Sequence, residues 1–525
     1  MATFVLQIEN LGIQAKRSTI LEGISFDVTP GEIFGIIGES GAGKSTLAMA
    51  TVGLLRAGCR RVAGSVRLAG KSLLDLSQAD LERTRRRKVS YVAQSAAACF
   101  NPFYRLGEQV TELAALELGK SRAERQRLAA DLFRELQLPD PERFGDRYPH
   151  QVSGGQLQRA MIAMALLNEP ELIIFDEPTT ALDVTTQLEV LRLIRKVVKG
   201  RGCGSIYISH DLAVVSQLAD RVMVLRHGKV VEMGPTRDLI ENPQAGYTRD
   251  LVANQTTTSS VPDPAASRPI VSVENLAAGY GRVSAIRDIS LDLSSGHITC
   301  LVGESGSGKT TLARTIAGLV DLHAGVLRFK GSELPGRVER RDSETRRRLQ
   351  YIHQLPDLAL NPRQTIREVV GRPLAKFRGL RGAAAEHRLR ELLRDVELPE
   401  TFLDRVPGSL SGGQKQRVCI ARALAAEPDV LICDEVTSAL DPLVEESVIK
   451  LLLRLMKARP LTMLFITHNL ALTRRFAHEV VVMQQGRIVE AGPASSVFSA
   501  PREAYTKKLL DSTPLMERGW LEARL

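Results

Sequence analysis

Short apolar runs set the rhythm of the chain. EIFGIIG (32–38) and HITCLVG (297–303) are almost unbroken apolar stretches, and each runs into a cluster of glycines. ELIIFD (171–176) and DVLICD (429–434) end in an acid, and SIYIS (205–209) and MLFIT (463–467) follow them. Runs this short, bounded by Gly, Asp or Ser, predict strands buried on both faces. Strands alternating with helical stretches predict an α/β chain built on mostly parallel sheet. Segments 104–147 and 363–405 have another texture. VTELAALELGKSRAERQRLAADLFRELQL (110–138) places apolar residues at helical spacing with few β-branched side chains, which predicts an inserted helical part in each half.

The pattern occurs twice, in the same order. IENLGIQAKRSTILEGIS (8–25) aligns with VENLAAGYGRVSAIRDIS (273–290), SGGQ at 153–156 with SGGQ at 411–414, FDEPTTALD (175–183) with CDEVTSALD (433–441), and ISH (208–210) with ITH (466–468). Between the copies, ANQTTTSSVPDPAASRP (253–269) is rich in Ser, Thr and Pro and reads as a flexible linker. The expected domains are therefore 1–252, with its helical part at about 95–155, and 270–512, with its helical part at about 355–413. A short tail, 513–525, follows.

Composition adds limits. The 525 residues are 44% apolar and 25% charged, the balance of a globular chain, and the sequence holds no run of roughly 18–20 uncharged apolar residues of the kind that crosses a bilayer. The start, MATFVLQIEN, does not read as a signal peptide. Cys59, Cys99, Cys203, Cys300, Cys419 and Cys433 are scattered without a C-x-x-C pair, so neither a zinc site nor a disulfide framework is expected. The formal charge of +10 raises nucleic acid or anionic lipid as partners, and RTRRRK (83–88) and TRRR (345–348) are its densest clusters. No aromatic-interleaved basic stretch of the base-stacking kind accompanies them, and a solvated face is the simpler reading.

The glycine clusters carry the chemistry. Gly38, Glu39, Ser40, Gly41, Ala42, Gly43, Lys44, Ser45 and Thr46 fit G-x-x-x-x-G-K-[ST]; so do Gly303, Glu304, Ser305, Gly306, Ser307, Gly308, Lys309, Thr310 and Thr311. Glycines let backbone amides turn toward phosphates, and the following helix adds its positive end. Lys44 and Lys309 would reach the terminal phosphates, while Ser45 and Thr310 would hold Mg²⁺. Asp176 and Asp434 close apolar strands, where a buried carboxylate needs a counter-charge, and a magnesium ion beside the phosphates supplies one. Glu177 and Glu435 come next and are placed to polarise an attacking water.

With these motifs in view, the chain resembles the ATP-binding cassette family along nearly its whole length, one cassette per half. S-G-G-Q stands 23 residues before the strand-end Asp in both copies. The resemblance implies, for each half, a phosphate-loop core with mostly parallel sheet, an antiparallel β part and a helical subdomain. It implies that Gln94 and Gln354 sense Mg²⁺ and the attacking water. Ser153, Gly154, Gly155 and Gln156, with Ser411, Gly412, Gly413 and Gln414, would clamp the γ-phosphate of the opposite cassette, giving two composite ATP sites. Asp183 and Asp441 would lie at the cassette interface, and His210 and His468 would hold the γ-phosphate and polarise the Glu. Tyr280 resembles the aromatic that stacks on adenine; the matching position in the first copy is Ala15.

Several features resemble the dipeptide, oligopeptide and nickel importer branch: FNPF (100–103) and LNPR (360–363) after each Gln, DEPTTALDVTTQ (176–187), and the Tyr-Thr endings ENPQAGYTRDLV (241–252) and SAPREAYTKKLL (499–510). Val436 departs from that branch's usual proline, and no cysteine cluster follows the Tyr-Thr segments, so no iron–sulfur cluster is expected. The implied protein is an Mg²⁺-ATP hydrolase serving an importer. It would sit on the cytoplasmic face of a bacterial inner membrane, against two transmembrane permease subunits and, through them, a solute-binding protein, with no specific nucleic acid. The alternatives are a soluble tandem cassette ATPase working on ribosomes or nucleic acid, and an exporter ATPase.

Overall fold

The apolar runs are strands, and their burial explains their composition. The computed structural model describes residues 4–524 apart from 17, 74, 181, 257–266, 282, 439 and 518. The chain divides into two units, Met1–Thr256 together with Pro514–Leu525, and Thr257–Thr513.

In the first unit, Ile33–Ile37, Leu172–Asp176 and Gly204–Ile208 are buried at every position. They lie inside a six-stranded sheet of order Lys229–Pro235, Arg221–Arg226, Ile33–Ile37, Gly204–Ile208, Leu172–Asp176 and Val89–Val92. Pairing is parallel except at the Arg221–Arg226 and Lys229–Pro235 hairpin. A sheet covered on both faces leaves its central strands no polar side, so they read as continuous apolar runs. A second, antiparallel sheet takes the order Ser18–Val28, Leu6–Ala15, Cys59–Leu68 and Lys71–Ser72. The core between the two sheets is filled by Leu6, Ile8, Phe26, Phe34, Leu47, Ile174, Ile206 and Met223, with helix Lys44–Thr51 lying in it.

The second unit repeats this plan. Its six strands take the order Leu349–Ile352, Val430–Asp434, Thr462–Ile466, Ile298–Val302, Glu479–Gln484 and Arg487–Pro493, beside a four-stranded antiparallel sheet. The fold class is thus α/β, with one plan carried out in each of two units. Helices fill the stretches whose spacing was helical: Leu106–Val110, Glu112–Leu118 and Arg122–Glu135 in the first unit, Ile366–Arg378 and Gly382–Asp395 in the second.

Three features depart from the simplest sequence reading. The Ser/Thr stretch read as a linker from 253 begins inside helix Gly246–Thr256, and 257–266 lie outside the described residues. The basic clusters fall in helices Gln78–Lys88 and Ser343–Arg348, and several of their cations are bound by the unit that carries them. Arg85 donates to the carbonyls of Val52 and Gly53, Lys88 pairs with Glu171, and Arg348 pairs with Asp429. The last residues, Pro514–Leu525, pack in the first unit. Gln217 Nε2 donates to the carbonyls of Leu515 (2.5 Å) and Glu517 (3.1 Å), and its Oε1 accepts the Leu521 amide at 3.2 Å. Arg195 pairs with Glu522 at 2.6 Å, and Trp520 and Leu521 are buried. Among the described residues, no helix is long and apolar enough to cross a membrane.

One buried side chain, Gln217, thus satisfies three backbone groups of the tail, and leaving such groups unpaired costs about 1–3 kcal/mol each. Gln217→Leu keeps the volume and removes all three bonds. The expected outcome is faster proteolytic trimming of residues 514–525 with the ATP-dependent behaviour of the phosphate loops kept; mass spectrometry of timed digests reads it, and trimming at the wild-type rate contradicts the assignment.

Candidate functional site

Each glycine loop leaves a fully buried strand and enters a helix. In the first unit the path is Ile33–Ile37, the loop, then Lys44–Thr51; in the second it is Ile298–Val302, the loop, then Lys309–Ala317. Gly43 and Gly308 sit at φ +102°, a left-handed conformation open to glycine, where a Cβ would strike Leu21 or Ile286. Gly41 and Gly306, at φ +83° and +80°, have nothing within 4 Å of an added Cβ, so the tip of each loop is open. The loop lysines are buried at its base. Lys44 Nζ donates to the carbonyls of Gly38 (2.7 Å) and Glu39 (3.0 Å), and Lys309 Nζ to those of Gly303 and Glu304 (both 2.8 Å).

The strand-end carboxylates meet the loop hydroxyls. Thr310 Oγ1 donates to Asp434 Oδ1 at 3.0 Å, and Ser45 Oγ lies 3.5 Å from Asp176 Oδ1. Sequence reasoning passed over the next partner: the Tyr91 hydroxyl donates to Asp176 Oδ2 at 2.5 Å, and Tyr351 does the same to Asp434. Burial and the adjacent carboxylate push both phenols well above their usual range. The available signal was a Tyr three residues before the Gln in YVAQ and in YIHQ.

Glu177 and Glu435 follow those aspartates at φ +49° and +48°. Non-glycine residues held there cost on the order of 1–3 kcal/mol and cluster where geometry is functional. Each Glu amide donates to the neighbouring strand, at Ile208 or Ile466. The turn carries the carboxylate toward Gln94, whose Nε2 donates to Glu177 Oε2 at 3.1 Å, and toward His210 Nδ1 at 3.4 Å. In the second unit Gln354 donates to Glu435 at 2.7 Å, and His468 Nδ1 lies 3.9 Å away. Burial opposes ionisation of Glu177, but His210, Lys44 and Thr180 outweigh it and hold the carboxyl below its usual range. Burial likewise opposes the charged form of His210, and Glu177 outweighs it, raising the imidazole. In Glu435, burial is outweighed by His468 and Lys309.

Loop, Asp, Glu, Gln and His thus form one cluster in each unit. The S-G-G-Q segments form a separate feature. Ser153 and Gln156 close a capping box at the head of helix Gly154–Leu166, and Ser411 and Gln414 do so for Gly412–Leu424. Gly155 and Gly413 pack against Thr186 and Val444, where a Cβ would lie 2.1 or 2.5 Å from the side chain, whereas Gly154 and Gly412 face open space. Asp183 and Asp441 cap helices Val184–Arg201 and Pro442–Ala458. Tyr280, 57% exposed, closes strand Pro269–Tyr280 with Arg314 beside its hydroxyl. Among the described residues no group of three or more His, Cys, Asp and Glu could hold a metal. The oxygens that converge on each loop are instead a hydroxyl and a single carboxylate, hard donors that suit Mg²⁺ completed by phosphate and water.

A family model described as "ABC transporter" matches residues 21–180 and 286–438, and one described as "Oligopeptide/dipeptide transporter, C-terminal region" matches residues 489–524. The chain is similar to the glutathione import ATP-binding protein GsiA of Escherichia coli O157:H7, 37% identical over 566 residues that cover 98% of this chain and 90% of that one. The proteins of the same name from E. coli K12 and Shigella boydii serotype 4 are each 37% identical over 564 residues, with the same coverage.

The Glu177–His210 pair makes stability depend on pH. Because the folded histidine titrates above its unfolded value, its contribution is complete below the unfolded pKa and is lost as pH rises through the folded one. The melting-temperature gap between wild type and His210→Ala is therefore expected to be wider at pH 6 than at pH 9. A gap that is constant, or wider at pH 9, contradicts the pairing.

Proposed function

Since the chain belongs to the ABC transporter family, we propose that it is the ATP-hydrolysing subunit of an importer for short peptides and related small solutes. The observation that carries this reading is the likeness along 98% of the chain to import ATP-binding proteins, together with the oligopeptide/dipeptide C-terminal match. The relatives' names give glutathione, a peptide-like solute, and the reading takes a short-peptide class from both matches.

Each unit holds groups suited to receive the phosphates and to activate a water. The loop amides and the helix end behind them receive the phosphates, and Lys44 and Lys309 are already at the loop base, ready to exchange carbonyls for phosphate oxygens. Ser45, Asp176 and Gln94, and Thr310, Asp434 and Gln354, would hold Mg²⁺, which when bound neutralises charge on the leaving phosphates. Glu177 and Glu435, kept ionised by their surroundings, accept a proton from the attacking water, and the Gln and His side chains that touch them fix their direction.

Partners follow from the likeness to import ATP-binding proteins. Phe103 is 85% exposed and lies nine residues after Gln94; Leu358 is 84% exposed and lies four residues after Gln354. On the importer reading these bare side chains belong to the surface offered to a membrane permease. The nucleic-acid alternative loses support from the tethering of the basic clusters, and the import relatives stand against an exporter.

The test is uptake of a radiolabelled short peptide by native cells lacking the gene. Wild-type protein is expected to restore uptake, and Lys44→Ala with Lys309→Ala is expected to lower it by about tenfold or more, since the phosphate contacts are gone. Normal peptide uptake in the deletion strain, or ATPase driven by nucleic acid at high salt, contradicts the importer reading.

A further inference from the structure

The C-terminal end of each unit returns to the phosphate loop by the same route. In the second unit, Glu490 on strand Arg487–Pro493 accepts the amides of Arg502 (2.9 Å) and Glu503 (3.2 Å), just ahead of helix Ala504–Asp511. In the first, Glu232 on strand Lys229–Pro235 accepts the amides of Gln244 (2.9 Å) and Ala245 (3.0 Å), just ahead of helix Gly246–Thr256. Two amides on one carboxylate fix where each helix begins. The first turn of each then presents a tyrosine, Tyr505 or Tyr247, to the second residue of the loop.

The Tyr505 hydroxyl accepts the Glu304 amide at 3.0 Å. That N–H belongs to the peptide whose carbonyl, on Gly303, accepts Lys309 Nζ at 2.8 Å. Phenol oxygen, peptide and ammonium form one hydrogen-bonded line, and bonds in such a line reinforce one another. The hairpin ahead of the helix supports the loop from behind: Gly486 donates to the Ser307 carbonyl, and the Met483 carbonyl lies 2.2 Å from where a Gly303 Cβ would stand. In the first unit Tyr247 is buried beside Glu39 with its ring under the Arg226 guanidinium, 4.5 Å from the centroid, and Arg226 also reaches Glu39 at 3.7 Å. Gln484 stands at the position of Arg226 in the second copy, so there the tyrosine works without that cation.

We propose that Tyr505 is a positioning residue for nucleotide binding: it holds the peptide that seats the loop lysine, and so makes the C-terminal helix of the second unit part of the phosphate site, whereas Tyr247, at the matching place in the first unit, packs beside Glu39 with its hydroxyl unbonded. This rests on the phosphate-loop reading of residues 303–311. It gives the region matched as the oligopeptide/dipeptide C-terminal segment a direct task at the site. A Tyr505 hydroxyl that is lost leaves a part-buried N–H unsatisfied and lets the peptide turn, which affects nucleotide affinity more than the chemical step.

The experiment uses the full chain in a Lys44→Ala background, so that ATP titration and steady-state ATPase read the second unit's loop. Tyr505→Phe removes the hydroxyl and keeps the ring; Tyr505→Leu removes both. Tyr505→Phe is expected to raise the ATP Kd and KM about fivefold or more, with kcat lowered less than twofold and the nucleotide-free melting temperature unchanged. Tyr505→Leu should do no better. Wild-type affinity in Tyr505→Phe with loss only in Tyr505→Leu means that the ring merely packs, and overturns the proposal; so does an equal fall in kcat without a rise in KM. Lys309→Ala in the same background is the control. If it retains ATP affinity, the phosphate-loop reading itself fails and the proposal falls with it, an outcome distinct from a failing tyrosine beside a working lysine.

Discussion

Everything in each unit is arranged around a buried ammonium ion. Lys44 and Lys309 are each 6% exposed and rest on carbonyls at the base of a glycine loop. A buried cation is costly unless polar groups surround it, and a phosphate is a stronger partner than a peptide carbonyl. The loop must therefore be stiff enough to keep the carbonyls in place and open enough to admit the anion. The left-handed glycines provide the opening, the buried strand and the hairpin behind it provide the stiffness, and the cost of folding this polar centre is met by the apolar cores around it.

The two copies agree where chemistry is concerned and differ at the margins. Loop, strand-end Asp, left-handed Glu, Gln and His recur with the same partners. The differences concern what surrounds them: Tyr280 against Ala15, Gln484 against Arg226, and an Asp176 that Ser45 approaches less closely than Thr310 approaches Asp434. On the proposed reading, that division gives two sites of equal chemistry and unequal affinity. The tail 514–525 adds another asymmetry, because it follows the second copy in sequence and packs with the first, on helix Leu212–Leu218, which starts two residues after His210.

Much of this was legible in the sequence because it depends on local pattern. EIFGIIG and ELIIFD are strands since no polar residue interrupts them, and the glycine loops declare themselves by spacing. The S-G-G-Q segments were recognisable as motifs, and the structure adds why Ser and Gln stand three apart: they close a capping box. What stayed hidden depends on through-space geometry. Nothing local says that Tyr91 and Tyr351 bond to the strand-end aspartates, that Glu177 and Glu435 adopt positive φ, or that Tyr505 reaches back some 200 residues to Glu304. The tail was invisible for the same reason: PLMERGWL has no periodicity to read, and its fit is defined by Gln217 on a distant helix.

The central claim is that both copies are catalytic, each through its own strand-end glutamate. The most direct measurement is steady-state ATPase of Glu177→Gln and of Glu435→Gln, prepared separately, with nucleotide binding confirmed for each. The account predicts that each single substitution lowers turnover steeply, by about a hundredfold in its own site, as loss of a general base does, while ATP still binds. Turnover near wild type in Glu435→Gln, with Glu177→Gln inactive, would contradict it and make the second copy a nucleotide-binding regulator of the first.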